Sequence, residues 1–187
     1  MMFTKTRVKD LMIPLSDYAT VTSSATLLEA MRALENENKK HGDHPYRHRA
    51  VLVLNPKGAV VGKVSQVDMM RALEPNYQKM GSEIDLSRFE FSSAFISATV
   101  KQFNLWERPL KEIRKSLKNI KVVDVMYTPA DHQRVKENDS LTMAIHQIVM
   151  GQHQSLLVTK GRKVVGILRS TDVFNALYNQ MEMDKAS

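Results

Sequence analysis

A five-residue block near the start of the chain, Val8-Lys9-Asp10-Leu11-Met12, returns 114 positions later as Val122-Val123-Asp124-Val125-Met126. The same offset carries Val21 onto Val135, Leu27 onto Leu141 and Ala30 onto Ala144. Farther along, Val60-Val61-Gly62-Lys63-Val64-Ser65-Gln66-Val67-Asp68 matches Val164-Val165-Gly166-Ile167-Leu168-Arg169-Ser170-Thr171-Asp172 at an offset of 104, and the match runs on through Ala72-Leu73 and Ala176-Leu177. Four blocks in one order mark an internal duplication. The change of offset places ten extra residues between Leu34 and Ala50 of the first copy.

Each copy reads as strand, helix, strand, strand, helix. In the first, Thr26-Leu27-Leu28-Glu29 has the form of a capping box, in which hydroxyl and carboxylate satisfy open backbone donors at a helix start. In the second, Ser140 holds the cap position and Met143 stands where Glu29 does. The spacings Leu27, Met31, Leu34 and Leu141, Ile145, Ile148 give each helix one apolar face. A strand at Val51–Leu54, a turn at Asn55-Pro56-Lys57-Gly58 and a strand at Ala59–Val61 predict a hairpin, repeated at Leu156–Val158, Lys160-Gly161 and Val164-Val165. A second helix follows from Asp68 or Asp172. Copies of this size bury too little apolar surface to stand alone comfortably. The expected fold is therefore mixed α/β (α+β): two pseudo-symmetric β-α-β-β-α repeats, residues 7–75 and 121–181, packed sheet to sheet, with a helical insertion at 76–120.

Composition narrows the function classes. The 187 residues include no Cys, which excludes disulfides, thiolate nucleophiles and cysteine-ligated metal sites. The longest apolar run, Ala50–Leu54, is far short of the ~20 residues of a membrane helix. No apolar stretch follows the first positive charges, so a secretory signal is not expected and a cytoplasmic location is. The net charge of +7 favours anionic partners, although no basic run exceeds two residues. No Gly-x-Gly loop, catalytic Ser/His/Asp grouping or paired catalytic carboxylates can be argued, so an enzyme is not expected.

The insertion carries Phe89, Phe91, Phe95, Phe103 and the only Trp, Trp106. Phe91, Phe95, Thr99 and Phe103 recur every four residues, and Pro109 opens a further helical piece with Leu110, Ile113 and Leu117 on one face. Packing onto the repeats or across a dimer is the expected role, with a protein partner as the rival. Aromatics beside basic residues also occur in single-strand nucleic-acid binders, but amphipathic spacing does not favour an exposed platform.

The pattern Val-x-Asp-apolar-Met, then Thr/Ser-Leu opening a helix, then a hydrophobic strand, then Val-Gly-x-apolar-[Ser/Thr]-x-x-Asp, resembles the CBS domain. Two in tandem resemble a CBS pair, or Bateman module. The resemblance implies a regulatory, non-catalytic module, commonly a disc-like homodimer. It implies adenosyl ligands (AMP, ADP, ATP or S-adenosylmethionine, in some relatives NAD(H) or cyclic dinucleotides) in clefts between the repeats, with no other cofactor. The Ser-x-x-Asp element lies where strand turns into helix, and a helix N-terminus suits phosphate. Ser65 and Asp68 complete it in the first repeat, Asp68 to hold ribose and Ser65 to bond phosphate or cap the helix. In the second, Arg169 replaces the hydroxyl residue, followed by Ser170, Thr171 and Asp172. Arg169 could offer its fork of donors to a phosphate, or pair with Asp172 and close the site. The resemblance further assigns phosphate contacts to Arg47, His48 and Arg49, with His153 aligned to Arg49. It also assigns an adenine slot to Ile13-Pro14 and Tyr127-Thr128-Pro129.

His41, Asp43, His44 and His48 have imidazoles and a carboxylate at metal-compatible spacing, but Gly42 and Pro45 point to a surface loop, and no metal is expected. Two rivals to the sensor stay open: a ligand-free dimerisation or scaffold module, and nucleic-acid binding through the basic surface.

Overall fold

The computed structural model describes residues 5–40, 47–83 and 92–184. The first repeat runs β1 (Ile13–Pro14), β2 (Thr20–Thr22), α1 (Leu27–Lys40), β3 (Ala50–Leu54), β4 (Val60–Ser65) and α2 (Gln66–Leu73). The insertion holds α3 (Asn76–Glu83), α4 (Ser93–Gln102) and α5 (Leu110–Asn119). The second repeat runs α6 (Val122–Val125), β5 (Arg134–Lys136), α7 (Leu141–Gly151), β6 (Ser155–Lys160), β7 (Lys163–Arg169) and α8 (Ser170–Asp184). The local chemistry follows the letters. Glu29 Oε2 accepts from the Thr26 amide at 2.6 Å and from its hydroxyl at 2.8 Å, and Ser140 Oγ accepts from the Met143 amide at 3.3 Å. The β3–β4 turn is pinned by Asn55 Oδ1, which accepts from the Lys57 and Ala59 amides, while Gly58 takes φ 76° and so does without the Cβ that would strain there.

The two repeats exchange their leading segments. β1, from the first repeat, joins the second repeat's sheet antiparallel to β7, giving the strand order β1-β7-β6-β5. The first repeat's sheet is β2-β3-β4, and Tyr127 of the second repeat bridges to Lys63 on its β4 edge through two backbone hydrogen bonds of 2.9 Å. Matching crossings recur elsewhere: Leu141 N donates to Thr6 O and Leu27 N to Ile120 O, while Val8 N donates to Asp139 O and Val122 N to Ala25 O. Each repeat thus completes the other, which answers the shortage of apolar surface in a single copy.

Among the described residues three clusters make the core. One, with Leu27, Leu34, Val51, Val53 and Val64, lies between the first sheet and its helices. Its counterpart includes Leu141, Leu156, Val158 and Leu168. The third joins the sheets face to face through Tyr18, Leu52, Leu157 and Ile167.

Strand registers correct the alignment of the two copies. Ala50 faces Ser65 and Ser155 faces Arg169, whereas Leu54 faces Val60 and Thr159 faces Val164. Along the first hairpin strand the offset is therefore 105, because the second hairpin's turn is one residue shorter. Nine of the ten extra residues fall between helix and strand and one in the turn. His153 is the equivalent of His48, and Gln154 of Arg49, a slip invisible to letter matching.

In the insertion, Ser92 Oγ caps α4 by accepting from the Phe95 amide, and Pro109 precedes α5. Thr99, Phe103 and Leu105 are buried, and Leu117 and Ile120 pack against the first repeat's core. Leu110 departs from the expected face and is 83% exposed. Phe89 and Phe91 lie outside the described residues. An unforeseen anchor holds the segment: Glu74, 1% exposed, accepts from the Trp106 amide at 2.7 Å and the Asn76 amide at 3.1 Å. Trp106 takes φ 64°, a left-handed conformation rare for a bulky side chain, with its indole N–H on Tyr77 Oη.

Candidate functional site

A cleft of about 370 Å³ opens between the repeats where α2 and α8 begin. Its walls carry Ser65, Ser170 and Thr171 at the helix starts and four cationic side chains, Arg47, Arg49, Lys63 and Arg169, with no carboxylate among the described lining residues. A volume in the ~300–1,000 Å³ range suits a small molecule, and the charge suits an anionic one.

Both Asp residues stand at N3 of their helices. Asp68 Oδ2 accepts from the Ser65 amide at 2.9 Å and its hydroxyl at 2.6 Å, and Ser65 Oγ accepts from the Asp68 amide at 3.2 Å. The pair is a capping box, and Asp68 Oδ1 lies 3.6 Å from Arg71. In the second repeat, Arg169 grips Asp172 with two side-chain bonds, Nε to Oδ2 at 2.7 Å and Nη2 to Oδ1 at 2.5 Å. These side chains are 11% and 15% exposed. Of the two roles open to Arg169, pairing with Asp172 is the one seen. Tyr18, a buried cleft residue not foreseen, lies beside this pair, and burial holds its hydroxyl well above the ordinary phenol range.

The phosphate candidates separate. Arg47 and Arg49 are exposed and line the cleft. His48 is buried: Asn38 ties down its backbone, donating to His48 O at 3.1 Å and accepting from His48 N at 2.7 Å, and its ring lies 4.3 Å from that of Tyr18. His153 is half-buried and stacks on His132 at 5.4 Å. Tyr18 and His132 are themselves equivalent at the 114 offset, so a ring pair recurs at corresponding positions, Tyr18–His48 in the first repeat and His132–His153 in the second. The corrected alignment exposes this relation. Burial, then the neighbouring His132 and Lys63, hold the His153 pKa below the usual value.

Ile13, Pro14, Tyr127 and Thr128 are not among the residues lining this cleft. Ile13 faces Ile167, two residues before Arg169, and Tyr127 holds Lys63. The Tyr127 hydroxyl donates to Gln133 Oε1. Pro129 is buried, with its carbonyl accepting from Arg134. His41, Asp43 and His44 lie outside the described residues, and among those described no three metal-ligating side chains converge. No described helix is long and apolar enough to cross a membrane.

A larger open groove of about 550 Å³ lies between α2, α3 and α5. Its arginines are committed: Arg71 to Asp68, and Arg108 to the Leu73 carbonyl and Ser116 Oγ. It lacks the helix-start hydroxyls, so the inter-repeat cleft is the stronger site.

Among solved structures the chain is similar to a CBS domain-containing protein of unknown function from Bacillus anthracis, 21% identical over 95% of this chain and 96% of the other, TM-score 0.61. It is also similar to a hypothetical conserved protein from Geobacillus kaustophilus, 24% identical over 94% and 98%, TM-score 0.57. A third is CBSX2, determined in complex with AMP, 21% identical over 92% and 97%, TM-score 0.58. These likenesses concern the fold. No curated protein matches significantly by sequence. The sequence profile of the CBS domain matches residues 8–75 and again 122–179, and with the crossed, duplicated sheets this makes the chain a member of the CBS domain family, carrying two CBS domains in tandem.

Proposed function

We propose that this tandem CBS pair, a regulatory rather than catalytic class of module, senses an adenine nucleotide in the inter-repeat cleft and works as a cytoplasmic homodimer. The observation that carries the reading is the cleft itself, where four cationic side chains and the hydroxyls of two helix starts converge between the repeats. Gln66 N and Ser170 N already donate to the Arg49 and Gln154 carbonyls and Asp68 N to Ser65 Oγ, so the helix starts contribute chiefly the positive end of their dipoles to a phosphate. The AMP held by the similar CBSX2 fold supports the ligand class.

A ligand there touches both repeats, so its differential affinity for two arrangements of them supplies the regulatory coupling. Phe174, Tyr178 and Met181, exposed on α8, offer apolar surface for a second copy. The insertion, reached from the first repeat through Glu74, is where a partner protein would read the change.

The test is calorimetric titration with AMP, ADP and ATP of the intact chain and of Asp68→Ala. Asp68 does not itself line the cleft but holds Ser65, which does. A hydrogen bond to a charged group contributes roughly 1.5–3 kcal/mol, so loss of that positioning should weaken binding about tenfold or more. Unchanged affinity removes Asp68 from the site. The Arg169–Asp172 pair favours a second reading, a scaffold whose cleft is filled by its own side chains. It predicts no nucleotide binding at all.

A further inference from the structure

Lys63 breaks the symmetry of the fold. It faces Leu52 across its hairpin as Ile167 faces Leu157 across the other, and each is met by a crossing segment, Tyr127 or Ile13. Ile167 is fully buried in the cluster joining the two sheets. At the equivalent point Lys63 extends into the cleft and donates to Ser155 Oγ of the other repeat at 3.3 Å. Among the described residues its ammonium makes no ion pair. The nearby Asp68 carboxylate is held by Ser65 and Arg71. Burial lowers the Lys63 pKa, partly offset by Asp68. A half-buried charge without a counter-ion is unfavourable, and breaches of a fold's own pattern gather at functional sites.

We infer that Lys63 is the specificity-determining residue of the cleft, selecting an adenosyl ligand that carries phosphate over one that is neutral or cationic, such as adenosine or S-adenosylmethionine. The inference rests on the nucleotide-sensing reading and names its ligand class. Of the four cations in the cleft, Arg169 is engaged with Asp172, and Arg47 and Arg49 are exposed, where salt screens them. Lys63 is half-buried and spans both repeats through Ser155. A phosphate oxygen at its Nζ supplies the missing counter-ion, whereas a sulfonium there meets like charge.

The experiment is calorimetric titration of the full chain with AMP, adenosine and S-adenosylmethionine, repeated on Lys63→Ile, the residue the second repeat carries, and on Lys63→Met, which keeps a long unbranched stem. The intact protein should bind AMP at least about tenfold more tightly than the other two. Both variants should compress that preference to within about twofold, with adenosine affinity held. Lys63→Arg should keep the preference. A preference that survives in a folded Lys63→Ile or Lys63→Met protein overturns the inference and leaves the sensing reading standing. So does an intact protein that binds adenosine or S-adenosylmethionine as tightly as AMP. If the intact protein binds none of the three, and neither ADP nor ATP, both fall.

Discussion

The side chain of Met126, from the second repeat, occupies the space above Gly62 of the first: a Cβ added to Gly62 would meet the Met126 sulfur and stand 2.9 Å from its Cγ. Its pseudo-symmetric mate is Gly166, where a Cβ would stand 2.5 Å from the Ile13 carbonyl oxygen and 3.1 Å from the Met12 sulfur. The methionine that ends each leading block and the glycine of each second strand are thus two halves of one cross-repeat contact.

Because Gly166 meets backbone and Gly62 meets a side chain, Gly166→Ala should destabilise more than Gly62→Ala, within the ~1–3 kcal/mol of overpacking. Met126→Ala should cost less in the Gly62→Ala background than in the intact protein, with a coupling of about 1 kcal/mol. Urea unfolding of the intact protein, the three single variants and the double variant checks this, and additive losses for Gly62→Ala and Met126→Ala would refute the contact.

The contact also shows what the sequence could and could not reveal. Duplication preserves letters in order, so strands, helices and caps could be read twice and checked against each other. That the leading segment of each copy pairs with the other copy's sheet is a tertiary fact, and Val-x-Asp-x-Met carries no partner within its own text. Equating His153 with Arg49 failed because a single-residue difference in hairpin length cannot be told from one more residue in the preceding loop. Strand register separates them, since slipping by one would turn every side chain to the opposite face. Ser65 was legible as a cleft residue from a pattern with a helix-start rationale, whereas Asp68 and Asp172, read from the same pattern, hold Ser65 and Arg169 and do not line the cleft. Tyr18 and Lys63 were not, since each becomes a cleft residue only when the sheets pack. Glu74 looked like any helix-end carboxylate until the Trp106 amide reached it.

The two Asp residues should behave differently. Asp172→Asn leaves the Arg169 guanidinium without its counter-charge in a nearly buried setting, a loss of about 3 kcal/mol. Asp68→Asn keeps an acceptor for the Ser65 amide and gives up an ion pair with the exposed Arg71 and the attraction on nearby Lys63, a loss of about 1 kcal/mol. Equal losses in denaturant unfolding would contradict the closed-pair description.

Acid should weaken the fold through His153. Its folded-state pKa is depressed, by burial and then by His132 and Lys63, below the ~6.5 of a free imidazole. Between those two values the unfolded chain binds more protons, so stability rises with pH across that window and falls on acidification through it. The melting temperature should drop from about pH 7.5 to about pH 5.5, and His153→Gln should flatten part of that drop. His132 and Lys63, which face His153, stay in place in the variant. An identical pH profile would assign the loss to other groups.

The measurement that bears most directly on the central claim is a thermal-shift panel on the purified chain with AMP, ADP, ATP, S-adenosylmethionine, NADH and cyclic dinucleotides. A ligand at a hundred times its dissociation constant stabilises the fold by about 2.7 kcal/mol, well within detection. The account predicts a shift with adenine nucleotides that Asp68→Ala greatly reduces. A panel in which no adenosyl compound moves the transition would contradict it, and the cleft between the repeats would then be a filled joint rather than a ligand site.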